Sequence, residues 1–304
     1  MDQAVKEIIT VDVGIPALNE ELNIRRMLQS IGTQKQINYH IERIILLSDG
    51  STDKTVQYAK SLKLPNLHII EHRKRQGLAK AWYDLLHVAK ADILVLLDAD
   101  IELSNENTLA ELVKPFIEDS TVTLTSGRSL KCTVNSFTDR AMDISVFLQD
   151  YIKSHFKHGR SVYGCLGRIV AVRRSMAEKT SPPKHILGND AYLYFFNKTN
   201  GGGFKYVSNA VVQSKAAQTF EDFSKQAKRF MRSKDTLAEI FGDWVYDEYK
   251  LPKILMLRSL LSAFYHHPFY TMVYICYQLR FRLFSDKSTI TAKDWQTIST
   301  KNLE

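Results

Sequence analysis

Five consecutive apolar residues, Ile93-Leu94-Val95-Leu96-Leu97, run directly into two carboxylates one residue apart, in Asp98-Ala99-Asp100. A strand without polar alternation must be covered on both faces, so it belongs at the centre of a sheet with helices above and below. The flanking sequence agrees. Ile8 to Ile15 is rich in β-branched residues and reads as a strand ended by Pro16. Glu20 to Ile31 carries Leu22, Ile24, Met27, Leu28 and Ile31 at helical spacing. Ile41 to Leu47 is a second strand, Lys54 to Ser61 a helix, Leu67 to Ile70 a short strand, and Gly77 to Ala89 a helix. Strand and helix alternating in this way give an α/β fold with an open, mostly parallel sheet flanked by helices. Such sheets bind ligands outside the carboxyl ends of their strands. The polar residues to follow are therefore Asn19 and Glu20, Asp49 and Asp53, and Asp98 and Asp100.

The rest of the chain is less regular. The pattern predicts helices near Glu106–Phe116, Thr138–His155, Asn189–Asn197 and Phe220–Ile240. Strands are expected near Val122–Ser126 and Tyr206–Gln213, an extended stretch over Val162–Val172, and a turn at Gly201-Gly202-Gly203. Beyond Leu251 the sequence becomes dense in Leu, Ile, Phe, Tyr and Met, broken by Arg258, His266, His267, Pro268, Arg280 and Arg282. These stretches are too interrupted for a spanning helix, which needs about eighteen or more apolar residues in a row. They suit amphipathic helices lying in a membrane interface, or a pair packed on the main domain.

The 304 residues carry a net charge of +8, and a basic balance favours anionic partners. No run of like charge is long enough for a nucleic-acid tail, and no nucleic-acid motif occurs, so nucleic acid is not expected as a partner. Cys132, Cys165 and Cys276 are scattered, with no CxxC, which argues against structural zinc and fits a reducing, cytoplasmic compartment. The charged N-terminus lacks the apolar core of a signal peptide.

Each candidate site residue also has a plain structural explanation. Asp98 and Asp100 can share a hard divalent cation that neutralises a diphosphate, yet an isolated Asp-x-Asp is more often a polar turn. Asp49 can accept a hydrogen bond from a nucleobase, or cap a helix; Asp53 is the better placed cap. Asp190 can serve as a general base, or be an acidic residue at a helix start. Gln226, Arg229 and Phe230 share a helix face that suits a diphosphate and a sugar ring, or is merely solvated.

The order and spacing of these segments are more specific than any one of them. Ile15-Pro16-Ala17-Leu18-Asn19-Glu20-Glu21, Ser48-Asp49-Gly50-Ser51-Thr52-Asp53, Gln76-Gly77-Leu78-Ala79, Leu97-Asp98-Ala99-Asp100, Gly167 to Arg173, Gly188-Asn189-Asp190 and Gln226 to Phe230 follow one another as in glycosyltransferase family 2. The chain resembles that family over residues 8 to 232. The resemblance implies the GT-A (Rossmann-like) fold, with a catalytic domain at residues 1–240 and a C-terminal helical, membrane-interfacial extension at 241–304. It implies an inverting enzyme that uses a nucleotide-sugar donor, preferably a UDP-sugar with GDP open, and a divalent metal, Mn or Mg. The acceptor would be a glycan or lipid-linked hydroxyl at the cytoplasmic face of a membrane.

The implied roles are as follows. Pro16, Ala17, Asn19 and Glu20 would line the nucleotide pocket and Asp49 would bind the base. Gly77 would let the backbone approach the donor. Asp98 would hold the ribose or a metal-bound water, and Asp100 would ligate the metal. Asp190 would be the catalytic base, Gln226 and Arg229 would hold the diphosphate, and Phe230 would face the acceptor. Leu18, Ser48, Arg75 and Phe230 stand where members often have Tyr, Asp, Asn and Trp. Phe for Trp, with no series of spanning helices, points to one sugar per encounter rather than processive synthesis. The segment Trp295 to Lys301 is similar to a tail of membrane-associated relatives. Two alternatives compete. A sugar nucleotidyltransferase would need a glycine-rich loop where Pro16 to Glu20 stands. A catalytically inactive scaffold would be expected to have lost Asp100 or Asp190.

Overall fold

A computed structural model describes residues 8–131, 137–183, 186–214 and 220–284. The elements in its first half are β1 (Ile9–Ala17), α1 (Ile24–Gly32), β2 (Tyr39–Ser48), α2 (Thr55–Ser61), β3 (Leu67–Glu71), α3 (Leu78–Val88) and β4 (Ile93–Leu97). There follow β5 (Ile101–Leu103), α4 (Thr108–Glu118), β6 (Val122–Lys131), α5 (Phe137–His155), β7 (Ile169–Arg173) and α6 (Arg174–Ala177). The last are α7 (Asn189–Thr199), β8 (Gly203–Ser214), α8 (Phe220–Phe241), α9 (Trp244–Glu248), α10 (Lys253–His266) and α11 (Pro268–Phe284).

The strands form one sheet in the order β3-β2-β1-β4-β7-β6-β8-β5. Pairings β1–β2, β1–β4, β2–β3 and β6–β8 are parallel, and β7 and β5 run against their neighbours. The apolar run sits where two-sided burial requires it. Ile93, Val95 and Leu97 join the core layer that includes Met27, Leu28 and Phe116. Leu94 and Leu96 join the opposite layer with Trp82, Leu85 and Phe195. Alternate side chains point to opposite faces, so each face must bring its own helices. Gly14 of β1 lets α3 pack close: a Cβ there would lie 3.2 Å from methyls of Leu85 and Leu96.

Several boundaries differ from the sequence reading. β1 runs through Pro16 to Ala17, because its pairing with β4 stops at Gly14 and a missing N–H is tolerated beyond that point. Helix α1 begins at Ile24 rather than Glu20. Asn19 takes the left-handed conformation (φ 54°), and the Glu20 carbonyl turns the chain by accepting from the N–H groups of Asn23 and Ile24. Within Val162–Val172 only the end is a strand; short helical turns at 157–159 and 162–164 precede it. Gly203 lies inside β8 rather than in the turn, and three-residue β5 carried no periodic signal. Helices α10 and α11 pack against α5 and each other. Among the described residues no helix is long and apolar enough to cross a membrane.

Candidate functional site

The expected polar residues gather at the carboxyl edge of the central strands. The Ala17 carbonyl accepts the Asp49 N–H at 2.8 Å, tying the end of β1 to the end of β2. Asn19 donates its N–H to Ser51 Oγ and accepts the Thr52 N–H on Oδ1 at 2.9 Å. Glu20 donates its N–H to Thr55 Oγ1 at 2.7 Å, while its carboxylate accepts from Asn23 Nδ2. Asp53 accepts the Thr55 N–H at the start of α2 and also the Glu21 N–H, while the N-cap position itself falls on Lys54, not on Asp53 as expected. Pro16 and Ala17 are buried, whereas Asn19 is exposed.

Asp49 is 0% exposed. Its Oδ1 accepts from Gln76 N–H at 2.8 Å and faces His72 Nδ1 at 2.8 Å, and its Oδ2 accepts the Gly77 N–H at 2.7 Å. The carboxylate therefore builds the wall formed by residues 72–77. A carboxylate has about four acceptor positions, which leaves one on Oδ2. Gly77 has φ 97°, a conformation that favours glycine, and it opens α3. His72 reaches on through Nε2 to Asp84 of α3, 2.9 Å away, and Asp84 pairs with Lys80.

Asp98 and Asp100 follow β4, the first partly buried and the second buried. Antiparallel β7 begins beside them, and the Arg168 carbonyl accepts the Asp98 N–H at 3.2 Å. One residue earlier, the Gly167 N–H donates to Asp190 Oδ2 at 3.0 Å. Asp190 Oδ1 accepts the Ala191 N–H at 2.9 Å, in the first turn of α7. The turn at 165–169 is pinned from behind by Ser126, whose Oγ accepts the Leu166 N–H and donates to the Ile169 carbonyl. A Cβ on Gly167 would press on the Asp190 carboxylate from 3.3 Å. Thus Asp98, Gly167, Arg168 and Asp190 meet through two backbone hydrogen bonds.

Among the described residues no three His, Cys, Asp or Glu side chains form a metal cluster. Among the described residues Asp98 and Asp100 are the carboxylates this edge offers to a cation after β4. That donor set fits Mg2+ or Mn2+ held by one or two carboxylates with the remaining ligands from substrate phosphates.

Helix α8 closes the far side. A Cβ on Gly188 would strike Ser233 Oγ at 2.3 Å, so α8 lies directly on the turn that carries Asp190. Phe230 is half exposed and meets Tyr249 edge-on at 5.7 Å, with the Lys234 ammonium over both rings. Burial, then the Asp190 charge, pushes the Tyr249 hydroxyl up. Arg229 is exposed. The Gln226 side chain and the segment 295–301 lie outside the described residues. The supporting residues Thr55, His72, Ser126 and Arg168 escaped the sequence reading. Only Arg168 had a signal, as part of the segment Gly167 to Arg173.

A family model described as glycosyl transferase family 2 matches residues 12–180. Polypeptide N-acetylgalactosaminyltransferase 8 of Drosophila melanogaster is 30% identical over 120 residues, 38% of this chain and 20% of that protein. The 4,4'-diaponeurosporenoate glycosyltransferase of Staphylococcus haemolyticus is 28% identical over 110 residues, 35% of this chain and 28% of that protein. The chain thus matches less than a third of either relative's length. A mannosyltransferase from Pyrobaculum calidifontis, solved with GDP-Man and Mn2+, superposes with a TM-score of 0.61 at 18% identity, covering 90% of this chain and 81% of that one. Glucosyl-3-phosphoglycerate synthase from Mycobacterium tuberculosis, solved with Mn2+, UDP and phosphoglyceric acid, gives 0.55 at 19% identity, covering 77% of this chain and 79% of that one.

Proposed function

The chain belongs to glycosyl transferase family 2 and has its GT-A fold, and from that membership we propose that it is an inverting enzyme transferring a sugar from a nucleotide-diphosphate donor, preferably a UDP-sugar, to an acceptor hydroxyl. The observation that carries this reading is the junction of Asp98, Gly167, Arg168 and Asp190, which sets a fixed carboxylate beside the Asp-x-Asp turn. In this reading Asp190 Oδ removes the acceptor proton while the acceptor oxygen attacks the anomeric carbon from the face opposite the diphosphate. The bond to the diphosphate oxygen breaks as the new one forms, so a single displacement inverts the centre. Asp98 and Asp100 would hold a divalent cation, which when bound supplies positive charge at the diphosphate. By the family resemblance Gln226 and Arg229 would steady the same group, and a preorganised cation such as Arg229 would lower the barrier to its departure. Pro16 to Glu20, Asp49 and Gly77 shape the nucleotide pocket, and Phe230 faces the acceptor. An inactive scaffold is the second reading, and retention of Asp98, Asp100 and Asp190 argues against it.

We place the enzyme at the cytoplasmic face of a membrane, acting on a lipid-linked or envelope glycan acceptor. Residues 1–240 would form the catalytic unit and 241–304 the interfacial extension. Helices α10 and α11 expose Ile254, Leu261, Tyr265 (85%), Phe269, Met272 and Leu283 (75%). Lys253, Arg258 and Arg280 stand among them, in a chain of net charge +8, which suits an anionic lipid surface. Flotation with anionic vesicles at low salt should carry the chain upward; a chain that stays at the bottom refutes the placement.

The transfer reading is tested by manganese-dependent nucleotide release from a panel of UDP- and GDP-sugars, with and without a membrane lipid extract as acceptor source. Release from one donor that is lost in Asp100→Ala supports it. Silence with every donor, extract included, favours the scaffold.

A further inference from the structure

The last turns of α5 carry Lys153 inward beneath the site. Its side chain is 6% exposed, and among the described residues its ammonium forms no hydrogen bond or ion pair. Burial, then the charge of Arg168, pulls its pKa down to about 8; Asp150 and Asp190 oppose this, and Arg128 adds to it.

Among the described residues two cations and two carboxylates act on Lys153, so its own charge is in excess. Three cations, Arg128, Lys153 and Arg168, stand near two carboxylates, Asp150 and Asp190. Asp150 is committed to Arg128 in a two-pronged pair, Nε to Oδ1 at 2.8 Å and Nη2 to Oδ2 at 2.6 Å. Asp190 is occupied by the N–H groups of Gly167 and Ala191. Among the described residues the Arg168 side chain donates to a neutral partner, Ser129 Oγ at 3.3 Å from Nη1. The Tyr206 hydroxyl, close enough to feel Arg128 and Asp150, is buried without a partner among the described residues. A buried phenol left unmatched is costly, and so is an ammonium on a side chain this little exposed with two other cations acting on it. Lys153 is close enough to Arg168 and Asp190 to feel both charges, and Tyr206 pairs in register with Ser126, which pins the turn at 165–169.

We propose that Lys153 and Arg168, backed by Ser129 and Tyr206, form a subsite for an acidic oxyanion, a phosphate or a carboxylate, carried by the acceptor beside Asp190. The word acceptor rests on the transferase reading; the binding of the oxyanion does not. An oxyanion here receives two charged donors and a phenol, and such charge-assisted bonds are the strong ones. The acceptor is thereby an acidic molecule whose reacting hydroxyl lies within one small group of its charge.

Calorimetric titration of the full chain, with UDP and Mn2+ present to occupy the donor side, tests the subsite without any turnover. The probes are glycerol 3-phosphate, glycerate, a short-chain phosphatidic acid below its micelle concentration, and uncharged glycerol. At least one acidic probe should bind and glycerol should not. Lys153→Met and Arg168→Gln should each weaken that binding about tenfold or more, with Arg168→Lys restoring part of it. Tightest binding of the lipid phosphate, of glycerol 3-phosphate or of glycerate supports the subsite and names the source of the oxyanion as lipid, soluble ester or carboxylate. Thermal melting of the unliganded variants shows whether they are folded. Failure of every acidic probe to bind, or unchanged affinity in folded Lys153→Met, overturns the proposal. The nucleotide-release panel fails or succeeds independently of either result.

Discussion

Asp49 and Lys153 are both charged, both buried, and opposite in how their charges are met. Asp49 has three donors around it, two of them backbone N–H groups. Lys153 has no hydrogen-bonded partner among the described residues. The first arrangement is a finished wall: it fixes residues 72–77 whether or not a ligand is present. The second is an unfinished one, stable enough to fold around but improved by an incoming anion. Burial alone therefore does not tell structure from binding; the count of matched partners does. Asp12, also 0% exposed, shows the finished form far from the site. Arg43 and the N–H groups of Lys90 and Ala91 surround it at the opposite end of β1.

Three substitutions bear on this contrast. The largest effect is expected at Asp190, which combines the two features, since it is tied by two N–H groups yet only partly buried. Asp190→Asn keeps an oxygen for one of those donors and removes the base. Turnover with acceptor should fall about 10²–10⁴-fold, with the circular dichroism spectrum unchanged. A loss below tenfold would move the base elsewhere.

Next is Asp49→Ala, which orphans the N–H groups of Gln76 and Gly77 and one face of His72. At about 1–3 kcal/mol for each fully buried group left unmatched, and with these three only partly buried or, at Gln76, exposed, the urea midpoint should drop by the equivalent of about 3 kcal/mol, and donor KM should rise. An unchanged midpoint would mean that the wall is not finished by Asp49 at all.

The smallest effect has the opposite sign. Lys153→Met removes an unmatched charge and should stabilise the chain at pH 7. The folded-state pKa of Lys153 is depressed from 10.5 to about 8. Between those values the unfolded chain binds the proton and the folded chain does not, so wild-type stability rises with pH across that window. Below about pH 8 the full penalty applies, on the order of 3 kcal/mol. The gain from Lys153→Met should therefore be greatest at pH 7 and fade by pH 10 in thermal melts. A gain that does not change with pH would place the cause in packing instead of charge.

Much of the donor half was legible residue by residue. Ile93–Leu97 is a strand in both readings and is buried on both faces. Asp53, just before α2, accepts the Thr55 N–H, although the N-cap position falls on Lys54. Strand boundaries failed where a tertiary contact decided them, as at Pro16, which continues β1 because β4 no longer reaches it. The acceptor half was harder. Lys153 occupies an ordinary position on an amphipathic helix, and its isolation comes from Arg168, Arg128 and Asp150, fifteen, twenty-five and three residues away in sequence.

The sequence by itself determined the class of fold, the central strand, the family and the acidic residues on which the chemistry would rest. Those follow from short-range periodicity and from motifs whose residues lie within a few positions of one another. The tertiary structure alone decided that Gly167 ties Asp190 to the turn beside Asp98, that Asp49 closes a wall, and that Lys153 is buried unmatched. Each of these depends on distance and on the number of partners in space. Hydrogen bonding and desolvation act over a few ångströms, and a linear sequence does not record which distant residues fall inside that range.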